Sequence, residues 1–209
     1  MAGVLAAVVL VMNACAPAPS ALVATPSVAV SRSSSPSSPP PPPASTALVG
    51  SSMRASGDVD VDASLLSHVP ATVGGVEIEP DPGTAAQIAS DPALAGEVER
   101  LAVGLAVGPG SSGAQDIAIV NVVKLRNGIL GEPFFRRWRD SYDEAACAQA
   151  GGVSGHAQAE IGGRTVYIGT CNGGAHTYHV ALAGDDVVIA VTSVGAGGWG
   201  EQNISNVVP

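Results

Sequence analysis

Residues 116–194 follow the apolar and polar patterns of β-strands separated by turn residues. Residues 116–125, DIAIVNVVKL, are β-branched and apolar almost throughout, which is typical of a central strand covered on both faces. Farther on, Gly162–Gly163 separates two strand-like runs and Gly184–Asp185 separates two more, as short hairpin turns do. The pattern therefore predicts one central strand followed by four antiparallel strands.

Two stretches carry the three- and four-residue spacing of amphipathic helices. The first, within residues 91–107, begins with Asp91 as N-cap and Pro92 at the first helical position. Its apolar positions are Leu94, Val98, Leu101 and Leu105. The second lies within residues 131–147, and its apolar positions are Phe134, Phe135, Trp138, Tyr142 and Ala145. A ligand-stacking stripe is the alternative for these aromatic residues, but helical spacing favours core packing against the sheet.

The order of these elements predicts an α+β domain over residues 62–209. We expect a mostly antiparallel sheet with two main helices packed on one face. Asp62 is expected to cap a short helix, and residues 70–80 to form a turn and a short strand. Residues 195–209, GAGGWGEQNISNVVP, are expected to form a loop and a frayed tail. On the second helix, i,i+4 spacing predicts the ion pairs Arg136–Asp140 and Arg139–Asp143.

Residues 1–14, MAGVLAAVVLVMNA, hold an apolar run of about ten residues, which is shorter than the roughly 20 that span a bilayer. The run suits the apolar region of a signal peptide that ends at Ala14. No basic residue precedes it, the first being Arg32, so either the natural start lies upstream or the export signal is weak. The following VMNAC resembles the cleavage box of bacterial lipoproteins. That resemblance implies cleavage after Ala14 and attachment of diacylglycerol to Cys15.

Residues 15–61 have the composition of a tether. The segment SRSSSPSSPPPPPAST is a low-complexity run of serine and proline that cannot bury apolar surface. Its five consecutive prolines favour an extended polyproline II spacer. A Pro-binding partner is the alternative, but a spacer behind a lipid site fits a domain held away from a membrane.

Charge narrows the choice of partners. The chain of 209 residues has 9 Lys and Arg against 18 Asp and Glu, a formal net charge of −9. This balance argues against nucleic acid, because neutralising phosphates requires a basic patch. It also disfavours electrostatic binding to an anionic membrane, so the expected membrane contact is the lipid anchor.

Three cysteines leave one unpaired if the other two form a disulfide. If Cys15 carries lipid, Cys147 and Cys171 remain as a pair. In an exported protein such a pair is usually oxidised, so we expect a disulfide between them.

Three segments invite a chemical interpretation. Cys171, His176 and His179 lie within nine residues, but His176 and His179 are three apart in a predicted strand and should face opposite sides, which argues against zinc. Ser154 and His156 lie in GGVSGH, which departs from the nucleophile elbow because His156 occupies its second glycine position. GAGGWG, at 195–200, matches a dinucleotide fingerprint by letter but leaves no room for a βαβ unit.

The leading interpretation is an exported, lipid-anchored envelope protein with a non-catalytic binding or structural domain and an unknown extracellular ligand. It would sit on the outer face of the cytoplasmic membrane or be secreted, and no cofactor is expected. VPATVGGVEIEP and IGGRTVYIGTC are similar to segments of uncharacterised exported bacterial proteins, a resemblance that implies no activity. The alternatives are a secreted hydrolase using Ser154 and His156 or the 171–179 segment, and an intracellular protein with an unprocessed apolar start.

Overall fold

A computed structural model of the chain describes residues 59–110 and 113–208. The predicted signal peptide, Cys15 and the linker up to residue 58 lie outside these residues. Asp60 and Val61, at the predicted end of the linker, already pair with the sheet. Within the described ranges, no helix combines the length and apolar character needed to cross a bilayer.

The described residues form one large sheet, a small hairpin and several helical segments. The strands are β1 (Asp60–Val61), β2 (Thr72–Val73), β3 (Val76–Glu77), β4 (Glu79–Pro80), β5 (Val98–Pro109), β6 (Gln115–Leu125), β7 (Val153–Ile161), β8 (Arg164–Cys171), β9 (His176–Leu182) and β10 (Val187–Val194). The α-helices are α1 (Pro82–Ala89), α2 (Glu132–Cys147) and α3 (Trp199–Ser205). Ala63–His68 and Ala148–Ala150 are 3₁₀ helices.

The large sheet is antiparallel except at one edge, so the expected α+β class is confirmed. Among the described strands its order is β1-β5-β6-β10-β9-β8-β7, and β4 also pairs with β5. β1 pairs with β5 in parallel, and the other pairs are antiparallel. β6 lies between β5 and β10, and its Val120 and Val122 are fully buried, which confirms the predicted central strand.

Both faces of the sheet are covered. On one face, α1 and α2 pack over the buried side chains of Leu101, Val103, Val188 and Ala190. The first 3₁₀ helix, the β2–β3 hairpin and α3 cover the opposite face, where the buried side chains include Ala106, Val120, Ile189 and Val191. Two helices therefore share one face as expected, and the third, short helix closes the other.

The prediction of a helix within residues 91–107 was wrong, because most of that stretch belongs to the long strand β5. Periodicity alone does not distinguish a continuous apolar run in a helix from one in a strand buried on both sides. Gly104 packs against Ile78 and Leu66, a close approach that a side chain would block. The helix that does form nearby is α1, which begins at the earlier Asp-Pro pair, with Asp81 as its N-cap.

The end of the chain is not a frayed tail, because residues 199–205 form α3. Trp199, Ile204 and Val207 are buried in the core of that face. The backbone N–H of Val208 then donates to the carbonyl oxygen of His68, 2.8 Å away. Burial of a large indole supplies free energy that holds a short glycine-containing helix in place.

Both predicted hairpins are present, and their register sets up the site. β7 and β8 meet at Gly162–Gly163, whose φ values of 59° and 73° suit a tight hairpin turn. His156 of β7 lies opposite Gly169 of β8, and Gly169 lies opposite Thr177 of β9. Residues that lie opposite one another in a sheet project to the same face, so the side chains of this row point toward α2.

The expected helix cap at Asp62 is also present, and the Asp62 side chain accepts a hydrogen bond from the backbone N–H of Ser64.

Candidate functional site

Helix α2 brings an acidic side chain down onto the sheet. Phe134, Phe135 and Trp138 are buried in the core, which confirms the predicted apolar face. Asp143 lies farther along the helix, and its side chain is only 1% exposed. A carboxylate this deeply buried requires several hydrogen-bond donors around it.

Residues of β9 supply donors to the Asp143 carboxylate. Oδ1 accepts a hydrogen bond from the Thr177 hydroxyl at 2.5 Å and lies 2.6 Å from Nε2 of His179. The His179 side chain is fully buried and meets the rings of Trp138 and Tyr142 edge to face, with centroids 5.6 and 5.3 Å away. The aromatic residues of α2 therefore enclose the histidine that pairs with Asp143.

Gly169 makes this approach possible. A Cβ atom on Gly169 would collide with both the Thr177 hydroxyl and the Asp143 carboxylate. Because interiors are close-packed, any larger residue here would displace the carboxylate from the sheet. Gly169 is thus a structural requirement of the buried Asp143 cluster, which we define as Asp143, Thr177, His179 and Gly169.

His156 connects this cluster with the surface. Its Nε2 lies 3.2 Å from Oδ2 of Asp143, and its side chain is 51% exposed. Oδ2 has no aligned hydrogen bond among the described residues, so the contact with His156 is an ion pair when the ring is protonated. One carboxylate thereby faces a buried histidine through one oxygen and a solvent-accessible histidine through the other.

His156 also lines a cleft of about 250 Å³. The cleft lies beside α2 and the β7–β8 edge, and its other lining residues are Arg139, Ala157, Gln158, Tyr167 and Ile168. The Arg139 guanidinium packs over the Tyr167 ring at 4.5 Å from the centroid. Its Nε donates to Oδ1 of Asp140 at 2.9 Å. These contacts hold a cation against one wall of the cleft.

Burial by itself works to raise the pKa of the Asp143 carboxyl, but its donors outweigh that effect. The hydrogen bond and charge of His179, the Thr177 hydroxyl and the charge of His156 together hold the pKa below its ordinary value of 3.8. Asp143 is therefore ionised at neutral pH, in a position to orient both histidine rings.

A neutral polar network lies next to the buried Asp143 cluster. The Tyr142 hydroxyl accepts from Nδ2 of Asn121 at 2.8 Å and lies 3.0 Å from the Thr192 hydroxyl. Desolvation raises the pKa of Tyr142 to about 12, although both hydrogen bonds work in the opposite direction. The phenol stays protonated at neutral pH and can donate to Thr192.

Cys147 and Cys171 form the expected disulfide, with their Cα atoms 5.1 Å apart. Both residues are buried and pack with Ala175 at the end of α2. The bond joins the helix that carries Asp143 to the strand that carries Gly169. It therefore restrains the two elements that form the site.

The structure separates the residues considered for zinc. Cys171 is in the disulfide, His179 is paired with Asp143, and His176 contacts the Tyr178 ring with centroids 6.5 Å apart. His179 lies under α2, and the odd spacing from His176 places the two rings on opposite faces of β9. In the described part of the chain, no three His, Cys, Asp or Glu side chains are arranged to hold a metal ion.

Ser154 does not join His156 in a catalytic arrangement. Its hydroxyl donates to the carbonyl oxygen of Thr170 at 3.0 Å, and a β-bulge interrupts the β7–β8 register beside it. His156 instead acquires an acidic partner, Asp143, that the sequence did not indicate. The hydrogen bonds of the described residues connect no serine or cysteine nucleophile to His156.

The buried role of Asp143 was not predicted, because its i,i+4 spacing from Arg139 indicates an ion pair along the helix. That pair and the Arg136–Asp140 pair are both wrong. Arg139 contacts Asp140, and Arg136 contacts Glu132 at 3.1 Å. One sequence feature could have indicated the burial of Asp143: it follows Trp138 by five residues and Tyr142 by one, near the edge of the apolar face of the helix.

A comparison of this chain with protein-family models, curated proteins and solved structures finds no match.

Proposed function

We propose that this chain is an exported cell-envelope protein that a diacylglycerol on Cys15 holds at the outer face of the cytoplasmic membrane. Its folded domain would act as a binding or structural module displayed beyond the Ser/Pro-rich segment. The observation that carries this proposal is the buried disulfide between Cys147 and Cys171.

A buried structural disulfide fits an oxidising, exported environment, because cytosolic thiol systems keep most such pairs reduced. The disulfide also uses two of the three cysteines in the chain. Cys15 is the remaining one, and it stands in the lipoprotein-like VMNAC segment. Pairing of the other two therefore supports a separate role for Cys15.

The charge of the chain supports a lipid anchor rather than electrostatic attachment. A net charge of −9 disfavours adsorption to anionic lipid and to nucleic acid. A covalent diacylglycerol needs no basic patch, because the transfer of its acyl chains into the bilayer supplies the free energy.

The decisive measurement is the intact mass of the protein extracted from the membrane fraction of an expressing bacterium. We expect loss of residues 1–14 and addition of a diacylglycerol mass. Cys15→Ser should abolish both changes and release the protein from the membrane fraction. Asn13→Ala, which leaves Ala14 and Cys15 in place and puts a small residue at position 13, is the matched control and should still be processed. An unmodified Cys15 in a soluble wild-type product would overturn the anchor.

A hydrolase is the second candidate, because the Asp143–His156 pair has the form of a base and its orienting acid. The binding module is favoured since Ser154 donates to a backbone carbonyl instead of to His156. The Thr177 hydroxyl does contact Asp143, but it is fully buried. Ester and amide hydrolysis assays comparing wild type with Ser154→Ala and His156→Gln distinguish the two candidates. Hydrolysis that either substitution abolishes would establish the enzyme.

A further inference from the structure

The cleft beside α2 has the composition of a small-ligand site. Its volume of about 250 Å³ approaches the lower end of the range seen for ligand pockets. Side chains that can donate hydrogen bonds line it from both sides: Arg139, His156, Gln158 and Tyr167. The chemistry of these side chains and the contacts they already make indicate which class of ligand the cleft would bind.

Arg139 is held in place before any ligand arrives. Its side chain is only 16% exposed, one face of the guanidinium lies on Tyr167, and Nε is bonded to Asp140. Among the hydrogen bonds of the described residues, none uses its Nη1 or Nη2. A guanidinium fixed in this way loses little side-chain entropy on binding and offers the paired N–H geometry that suits a carboxylate or phosphate.

His156 supplies a second donor from the opposite element. Its Nε2 faces Asp143, and the buried Asp143 cluster holds that carboxylate in place. The other ring nitrogen, Nδ1, has no partner among the described residues. Once protonated, the ring pairs with Asp143 through one N–H and can donate the other to a ligand.

One oxygen of each nearby carboxylate already accepts a hydrogen bond, and Oδ2 of Asp143 faces His156. Asp140 accepts from Arg139, and Oδ1 of Asp143 accepts from Thr177. The cleft is therefore rich in uncommitted donors in a chain whose net charge of −9 would otherwise repel anions. We propose that it binds a small ligand through an oxyanion group, with Arg139 and His156 as the principal contacts. This proposal deepens the binding role proposed above and does not depend on the anchor at Cys15.

Isothermal titration calorimetry on the purified full chain tests the proposal with three probes: glucuronate, glucose 6-phosphate and glucose. We expect binding of at least one anionic sugar and no comparable binding of glucose. Glucuronate alone would identify a carboxylate ligand, and glucose 6-phosphate alone a phosphate ligand. Equal binding of glucose, or no binding of either anion, would overturn the proposal.

Matched substitutions assign the contacts. Arg139→Gln should weaken binding at least about tenfold, and Arg139→Lys should weaken it less because the charge remains. The control is Arg136→Gln on the same helix, whose side chain is 63% exposed and which should leave affinity unchanged. His156→Gln should also weaken binding, whereas His176→Gln, outside the lining of the cleft, should leave affinity unchanged. Equal losses in Arg139→Gln and Arg136→Gln would overturn the assignment, with thermal unfolding used to confirm that each variant is folded.

The binding measurement and the anchor measurement fail independently. Titration uses purified protein, so its result is the same whether or not Cys15 carries lipid. An anchored protein that binds neither anion would leave the envelope location standing and remove only the oxyanion site.

Discussion

Oδ2 of Asp143, on α2, lies 3.2 Å from Nε2 of His156, on the edge strand β7. The same carboxylate contacts the fully buried His179 through Oδ1. The Asp143 carboxylate thus contacts both a buried histidine and a histidine that lines a surface cleft. Stability and binding at the cleft should both depend on this carboxylate, and the predictions below separate its contributions from those of its neighbours.

Gly169→Ala should destabilise the domain by about 1–3 kcal/mol, the usual cost of overpacking an interior. The added methyl group would collide with the Thr177 hydroxyl and the Asp143 carboxylate. Urea unfolding monitored by tryptophan fluorescence measures the change. Gly155→Ala, in the neighbouring strand, is the control because a Cβ atom there meets nothing within 4 Å. Equal effects of the two substitutions would contradict the role given to Gly169.

Asp143→Asn should lower the free energy of unfolding at pH 7 by about 1–3 kcal/mol, because the buried donors lose an ionised acceptor. Since folding lowers the pKa of Asp143, its stabilisation is fully present above about pH 4 and is lost as pH falls through the lower folded value. The difference between wild type and variant should therefore shrink on acidification. Asp140→Asn, at a side chain 48% exposed, should show little of this behaviour. A difference that stays constant down to about pH 2 would argue against a lowered pKa.

Tyr142→Phe should cost about 1 kcal/mol at pH 8, because Asn121 and Thr192 lose their shared partner. Folding raises the pKa of Tyr142 from 10.0 to about 12, so its contribution is present below pH 10 and is lost as pH rises toward 12. The gap between wild type and variant should therefore close at alkaline pH, as measured by urea unfolding. Tyr178→Phe serves as the control at pH 8, since the hydrogen bonds of the described residues do not include its hydroxyl.

Reduction of the Cys147–Cys171 disulfide should cost about 3.5 kcal/mol, the chain-entropy value for its separation of 24 residues. The measurement is urea unfolding of the Cys15→Ser protein with and without a reductant. A Cys147→Ala, Cys171→Ala double variant should match the reduced protein. Labelling of two thiols in the unreduced, unfolded Cys15→Ser protein would contradict the pairing.

Strand and hairpin positions were predictable because alternation and turn glycines are local signals. Residues 116–125 and the turn at Gly162–Gly163 appear where the pattern placed them. The first helix was not predictable in the same way, since Asp-Pro occurs at both 81–82 and 91–92. Only the Asp81-Pro82 pair begins an α-helix. The chain after Asp91-Pro92 soon enters β5, where both faces of the strand are buried.

The site was less predictable than the fold, because its parts are distant in sequence. Asp143 and His179 are 36 residues apart, and each has an ordinary local context. Gly169 is equally inconspicuous as one of 26 glycines. Its requirement appears only once the β7–β8–β9 register places it beneath the carboxylate.

Local sequence patterns were enough to predict the antiparallel strands and the aromatic face of α2, and the lipoprotein-like context of Cys15 left Cys147 and Cys171 as the expected pair. The strands and the helix face follow from local periodicity and turn chemistry. Contacts in the folded domain were needed to place residues 98–109 in a strand, to bury Trp199 in a C-terminal helix and to bring Asp143 to His156. Those outcomes depend on contacts between distant segments, whose burial and hydrogen-bond energies outweigh local propensity.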